Sequence, residues 1–223
     1  MSQAKIYGVL TGDLVKSKAF EPHRDRVLGA LKSAFEAAES FKQKPSEFIR
    51  FSRIFRGDSF QAVVSDPVDT LKIALFLRAE LMMIKIPETQ PDARIGLGIG
   101  TIESLNKAKI EESDGEAFRY SGKALDGLIK YRRLSLVSAW KDWNRQFEPM
   151  GSSLDAIIQR WTPEQAEAMS FMLQGRTQQE IARILRIKQP AVQQRLLTAG
   201  HFAIRAALLF FESRTYQYKS IAL

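Results

Sequence analysis

The sequence predicts an α+β chain: a β-α-β-β-α-β sheet domain of ferredoxin-like or palm arrangement over residues 1–148, then an all-α helix-turn-helix domain over residues 149–223. Three observations predict it. Short apolar runs bounded by turn signals alternate with longer stretches of helical period through the first two thirds. Helix caps and breakers recur at close spacing after residue 160. Positive charge is denser at the end: residues 1–150 carry 24 Lys/Arg and 20 Asp/Glu, while residues 151–223 carry 9 and 5, so each part is net +4 although the second is half as long.

Each element has its own signal. Residues 5–11 (KIYGVLT) read as a buried strand ended by Gly12-Asp13. Residues 22–39 read as a helix opened by Pro22, with Val27, Leu28, Leu31, Ala34, Phe35 and Ala38 on one face. Residues 48–55 and 59–64 form two strands joined through Gly57-Asp58 as a hairpin. Pro67 opens a helix over 67–85. Residues 93–102 (ARIGLGIGTI) read as a fourth strand whose three glycines predict close backbone approach. A polar loop over 103–117 leads to a helix over 119–133, and 135–148 reads as an amphipathic helix. In this order the helices cover one face of an antiparallel sheet. Pro149-Met150-Gly151-Ser152-Ser153 is the expected domain boundary.

Composition excludes several function classes. There is no cysteine, so disulfides, zinc–thiolate sites and thiol nucleophiles are out. The N-terminus lacks the pattern of a signal peptide, and no stretch reaches the ~18 apolar residues of a membrane span. A cytoplasmic protein without a membrane partner is expected. The net charge of +8 favours polyanionic partners such as nucleic acid. His23 and His201 stand alone and make no metal site.

Asp13 and Asp58 are the first candidate pair. In the expected sheet the first strand lies antiparallel beside the third, so the end of one meets the start of the other. Two carboxylates there repel unless one is protonated or a cation bridges them. Mg²⁺ (or Mn²⁺) is the natural cation, held by a few carboxylates and substrate phosphates. Backbone N–H groups between Gly12 and Ser17 are placed to cradle phosphate. Lys16, Lys18, Arg56, Arg119, Lys123 and Lys130 are candidate phosphate contacts, and Gly57 shapes the hairpin beside them. Alternatively, both aspartates are turn formers following glycine.

The segments VLTGDLVKSK, FRGDSFQAVV, ARIGLGIGTI and DGEAFRYSGKAL resemble the SatD family across most of residues 6–125. More distantly they resemble the palm core of class III nucleotide cyclases. The cyclase resemblance implies a nucleotide ligand and makes Asp13 and Asp58 the metal-binding pair. It also places Asp126 and Lys130 where cyclases carry an Asn and a transition-state Arg, and Ser52 where they carry a purine-reading Lys. Those departures imply binding without turnover, or a different phosphoryl reaction, over cyclisation.

Residues 161–198 carry a second pattern. Thr162 caps a helix that opens on Pro163-Glu164 and stops at Gln174-Gly175. Thr177 and Glu180 form a capping box for a helix over 178–185, and Pro190 opens another over 190–198. The run WTPEQ … GRTQQEIARILRIKQPAVQQRL resembles the helix-turn-helix of LuxR-type regulators and of sigma-factor C-terminal domains. In such a motif the last helix enters the major groove. That puts Lys188, Gln189, Gln193, Gln194 and Arg195 near the bases, and Arg176, Thr177 and Gln178 over phosphates. A tri-helical protein-interaction module is the alternative. Residues 199–213 are expected to continue as a helix with an apolar face of Phe202, Ala203, Ala206, Leu209 and Phe210, packing on the first domain or pairing two chains in a homodimer.

The expected function is therefore a DNA-binding transcriptional regulator whose first domain senses a nucleotide with Mg²⁺. The alternative is a metal-dependent cyclase or other phosphoryl-transfer enzyme targeted by its helix-turn-helix.

Overall fold

Alternation of apolar and small residues builds the sheet. The computed structural model of the protein describes residues 5–39, 41, 49–55, 58–87, 89–106 and 109–221. Its strands are β1 (Ile6–Leu14), β2 (Ile49–Phe55), β3 (Ser59–Val64), β4 (Ala93–Thr101) and β5 (Leu134–Ser138), in the spatial order β2-β3-β1-β4-β5. Neighbours among the first four pair antiparallel, and β5 joins β4 in parallel. Strand β1 runs through Gly12 and Asp13 instead of ending before them, because both are paired on each side. The β2–β3 hairpin is present, although Arg56 and Gly57 lie outside the described residues.

The sheet carries helices on both faces, not on one as expected. Helices α1 (Arg24–Glu39) and α2 (Thr70–Met82) share one hydrophobic core with Ile6, Leu10, Phe60, Ile95 and Leu97. Helix α3 (Glu116–Asp126) covers the other face, where Ala117 and Phe118 pack with Val9 and Val63. Strand β4 explains the difference. Ala93, Ile95, Leu97 and Ile99 point to α1 and α2, while Gly96, Gly98 and Gly100 face α3. A Cβ at Gly98 would stand 2.1 Å from the Ala117 carbonyl oxygen, so the helix backbone rests directly on the strand.

The expected helix over 135–148 resolves into strand and helix. In β5, Leu134, Leu136 and Ser138 are buried and alternate with half-buried Ser135 and Val137. Helix α4 (Lys141–Ile158) follows, burying Trp143, Phe147, Gly151, Leu154, Asp155 and Ile158. The breakers Pro149 to Ser153 thus lie inside α4. The Gly151 position faces the Leu136 side chain, which a Cβ would meet at 2.8 Å, so this glycine serves helix–sheet contact and not a linker. The expected helix over 119–133 ends at Asp126, where Gly127 begins the turn toward β5.

Four helices complete the chain: α5 (Pro163–Leu173), α6 (Gln178–Leu185), α7 (Gln189–Thr198) and α8 (His201–Ile221). Both expected capping boxes form, Thr162 with Gln165 and Thr177 with Glu180. Gly175 takes φ 84 after α5, a left-handed cap that glycine adopts without penalty. The helix expected to continue past residue 198 breaks at Ala199-Gly200, and α8 leaves α7 at 64°. The core-facing side of α8 is Ile204, Phe211 and Thr215, the last accepting a hydrogen bond from Trp143 Nε1 at 3.2 Å. Phe202, Ala203, Ala206 and Leu209 are exposed, while Phe210, 43% exposed, keeps a ring contact with Phe147 of α4 at 5.4 Å. Arg205 interrupts the apolar run, and a helix of this composition has two apolar sides, of which the core takes the other.

One hydrophobic core runs from β1 to Phe211. No single helix among the described residues is long and apolar enough to cross a membrane.

Candidate functional site

The strand pairing brings Asp13 and Asp58 to one region of the sheet. Asp13 sits in register with Ser59 on β3, and the Leu14 N–H donates to the Asp58 carbonyl at 3.0 Å. Their side chains have different partners. On the opposite side Asp13 is in register with Arg94 of β4, whose Nε and Nη2 donate to its two carboxylate oxygens at 2.9 and 2.6 Å. This hydrogen bond, with the charges of Asp13 and Asp126 behind it, holds the Arg94 pKa above the usual value against the opposing effect of burial. Asp58 Oδ2 accepts from Ser17 Oγ at 3.0 Å. Sequence reasoning missed Arg94. The signal was available: once β1 and β4 pair antiparallel, the first residue of the R-x-G-L-G run falls beside Asp13.

Asp58, Ser17, Lys18, Glu21 and Arg24 line a cleft of about 420 Å³. Lys16 takes a left-handed conformation at φ 54 and points the chain to a second cleft of about 220 Å³, shared with Val15, Gln90, Asp92, Arg133 and Gln159. The turn after β1 does not offer all its amides as expected. The Leu14 N–H is used by Asp58 and the Val15 N–H by the Asp92 carbonyl at 2.8 Å. Gly12 is a packing glycine within β1, against the Phe60 ring. Lys123 and Lys130 are exposed on and after α3, Lys130 lying 5.9 Å from the Tyr131 ring centre. Neither lines the Asp58 cleft. Arg119 is tied to Glu103 and Asp114 at 2.6 and 2.7 Å.

A divalent cation fits this donor set in a sparse form. Mg²⁺ needs one or two carboxylates and completes its shell with water and phosphate oxygens. Asp58 and the Ser17 hydroxyl supply such a start, while Asp13 would have to share or exchange the Arg94 guanidinium. Among the described residues no group of three or more carboxylates or imidazoles gathers.

Behind the second cleft lies a buried charge network that the sequence reading also missed. Arg78 of α2 is fully buried. It donates to Asp92 through Nε and Nη2, both at 2.9 Å, and to Asp155 of α4 through Nη1 at 2.8 Å. Arg133 adds a bond to Asp92 at 2.5 Å, and its N–H donates to Asp155 at 2.6 Å. Burial acts against the ionised forms, yet the attraction prevails: the Arg78 pKa is raised and the Asp92 pKa lowered. The network joins the sheet to α2 and α4.

The α5–α7 region presents a different surface. Val192 and Leu196 anchor α7, and Ile181 and Ala182 anchor α6. Lys188, Gln189, Gln193 and Gln194 of α7 and its approach are exposed, as are Arg176 and Thr177 at the start of α6. Gln189 donates to half-buried Gln178 at 2.7 Å, linking two of the expected contacts. Arg195 is half-buried and held by Glu167 of α5 at 3.2 Å, so it is less available than the glutamines. Arg183 and Arg186 are exposed in the same region, the latter at φ 53 in the turn between α6 and α7. Residues 176–195 hold five basic side chains and one acidic, Glu180.

Contacts between α2 and α5 connect the two regions. Ser170 of α5 donates to Glu80 of α2, and Lys85 pairs with Glu164 at 2.5 Å. Gln90 Nε2 bridges the carbonyls of Met82 and Trp161 at 2.9 and 3.1 Å.

No curated protein matches the chain in sequence. The SatD family model matches residues 7–206, which takes in the sheet from Tyr7 onward, both clefts, α5 to α7 and the start of α8. The chain belongs to the SatD family.

Proposed function

We propose that this protein is a DNA-binding transcriptional regulator whose α5–α7 unit acts as a helix-turn-helix and whose sheet region is a palm-like sensor for a nucleotide with Mg²⁺. The observation that carries the DNA reading is the solvent-facing row Lys188, Gln189, Gln193 and Gln194 on a helix anchored by Val192 and Leu196. Glutamine amides can pair bidentately with adenine edges, and the surrounding arginines supply phosphate attraction. The strand order β2-β3-β1-β4 supports the palm reading. The Asp58 cleft, with Ser17, Lys18 and Arg24 on its walls, supports an anionic ligand with a cation. The Arg94 partner of Asp13 favours binding over phosphoryl transfer, because it already neutralises the carboxylate a catalytic metal would need.

The sheet region meets α5 through Glu80 of α2, which accepts from Ser170, and through Gln90 in the segment after α2, which donates to the Trp161 carbonyl. A ligand alters DNA binding only to the extent that it binds one arrangement of these helices better. The test is fluorescence anisotropy of labelled duplex DNA with the wild-type chain and Gln193→Ala/Gln194→Ala. Binding that the double substitution weakens in a sequence-dependent way is expected. Equal binding by both proteins removes α7 as the reading helix.

A further inference from the structure

Four of the eight large apolar side chains exposed among the described residues lie on α8. Phe202, Leu209 and Tyr216 are 66, 57 and 64% exposed and stand seven residues apart. Ala206 and Ser213, both exposed, fall between them, giving steps of four and three residues along one stripe. Such a stripe is the seam of a paired helix. The core uses the opposite side of α8, so the seam is open along a helix of about 31 Å. Large and small residues alternate on it: Phe202, Ala206, Leu209, Ser213, Tyr216. One flank carries Arg205 and Glu212, both exposed and neither in an ion pair among the described residues.

We propose that this face pairs two copies of the chain as an antiparallel α8–α8 helix pair. A two-fold axis at the level of residues 207 and 208 sets Leu209 against the partner's Ala206 and Phe202 against the partner's Ser213. Phe202 and Leu209 each then enter the gap left by a small side chain, and the reverse holds for the other copy, as an isologous interface requires, while Tyr216 lies beyond the start of the partner's helix. In the same register Arg205 meets the partner's Glu212 on one flank, and the symmetry repeats the pair. A parallel pair would set Phe202, Leu209 and Tyr216 against themselves and leave Arg205 and Glu212 without opposite charges. The residues thus match their own copy, in one direction, in both size and charge. The pairing requires nothing of the DNA or nucleotide reading.

Sedimentation equilibrium of the full chain at micromolar concentration tests it. A dimer is expected, with Leu209→Glu shifting it to monomer. Arg205→Glu and Glu212→Arg each weaken the dimer by placing like charges together, and Arg205→Glu/Glu212→Arg restores it. These positions are exposed, so the melting curves of all variants stay near that of the wild type. Should Leu209→Glu alone disturb folding, the charge exchange still decides. Because the chain has no cysteine, Gln217→Cys accepts a single spin label. The two labels of a dimer are expected about 28 Å apart, from 1.5 Å rise per residue on each side of the axis. A wild-type monomer, a dimer indifferent to Leu209→Glu, or charge variants that fail to restore one another would overturn the proposal. A label distance near about 10 Å would overturn the antiparallel direction.

Discussion

Replacing Arg78 with leucine removes one cation from two buried carboxylates. Arg78, Asp92 and Asp155 are 0, 1 and 0% exposed, so water cannot take over the guanidinium's role. Breaking a buried pair by deleting one partner costs about 3–5 kcal/mol. Here three charge-assisted bonds go at once, which places the loss near about 5 kcal/mol, a large part of a typical domain's ~5–15 kcal/mol. Asp92 keeps the Arg133 side chain and Asp155 keeps the Arg133 N–H, which limits the damage. The pH dependence has a definite sign. Asp92 has a lowered pKa in the folded wild type, so its ionic contribution is present above the ordinary carboxylate value of 3.8 and is lost as pH falls through the lowered value. In Arg78→Leu that contribution shrinks. The gap between variant and wild type is therefore full at pH 7 and narrows only as pH falls below 3.8, toward about pH 3. Urea unfolding midpoints at the two pH values measure it. A loss under about 1 kcal/mol, or a gap that does not change with pH, would refute the view that this network binds the sheet to the helices.

Other outcomes follow from single contacts. Burial raises the Glu80 pKa above its usual 4.5, against the Ser170 hydrogen bond, so the folded state prefers the protonated acid. Stability from this group is full below pH 4.5 and falls as pH rises through the raised value; Glu80→Gln is expected to remove that decline and stabilise the protein at pH 7, as thermal melts against pH will show. Gly98→Ala forces a methyl group against the Ala117 carbonyl and is expected to cost at least about 1–3 kcal/mol in urea unfolding; a neutral result would mean that α3 does not rest on β4. Thr177→Ala removes the cap of α6 and is expected to cost about 1 kcal/mol by the same measurement. Arg176→Ala is expected to weaken DNA binding evenly across sequences and to lower the salt slope by about 1.

Local rules made the capped helices readable. Thr162, Thr177 and Gly175 each act within a few residues of their own position, and α5 and α6 have the bounds the caps imply. The four antiparallel strands were readable because turn residues separate apolar runs. Strand β5 was not, since LSLVS is short and flows into the amphipathic α4. Pro149 and Gly151 read as breakers, yet a long helix packed by Trp143, Phe147 and Leu154 overrides two poor helix formers. At the site, the neighbourhood of Asp13 and Asp58 came from strand order alone. Their side-chain partners depend on register across strands far apart in sequence, and so Arg94 and the Arg78 network stayed hidden. An arginine inside the apolar run TLKIALFLRAELM was the one trace of that network. Composition does not say which of the two apolar sides of α8 the core will take, so only the structure shows that Ile204, Phe211 and Thr215 face it.

The most direct measurement is the affinity of the full chain for duplex DNA, followed by anisotropy across a salt series, with and without a panel of nucleoside triphosphates and Mg²⁺. Binding that falls steeply with salt and shifts about fivefold or more with one nucleotide is the predicted result, and Asp58→Asn is expected to abolish the shift while leaving DNA binding intact. No binding at low salt would contradict the regulator reading, and binding indifferent to every nucleotide would contradict the sensor.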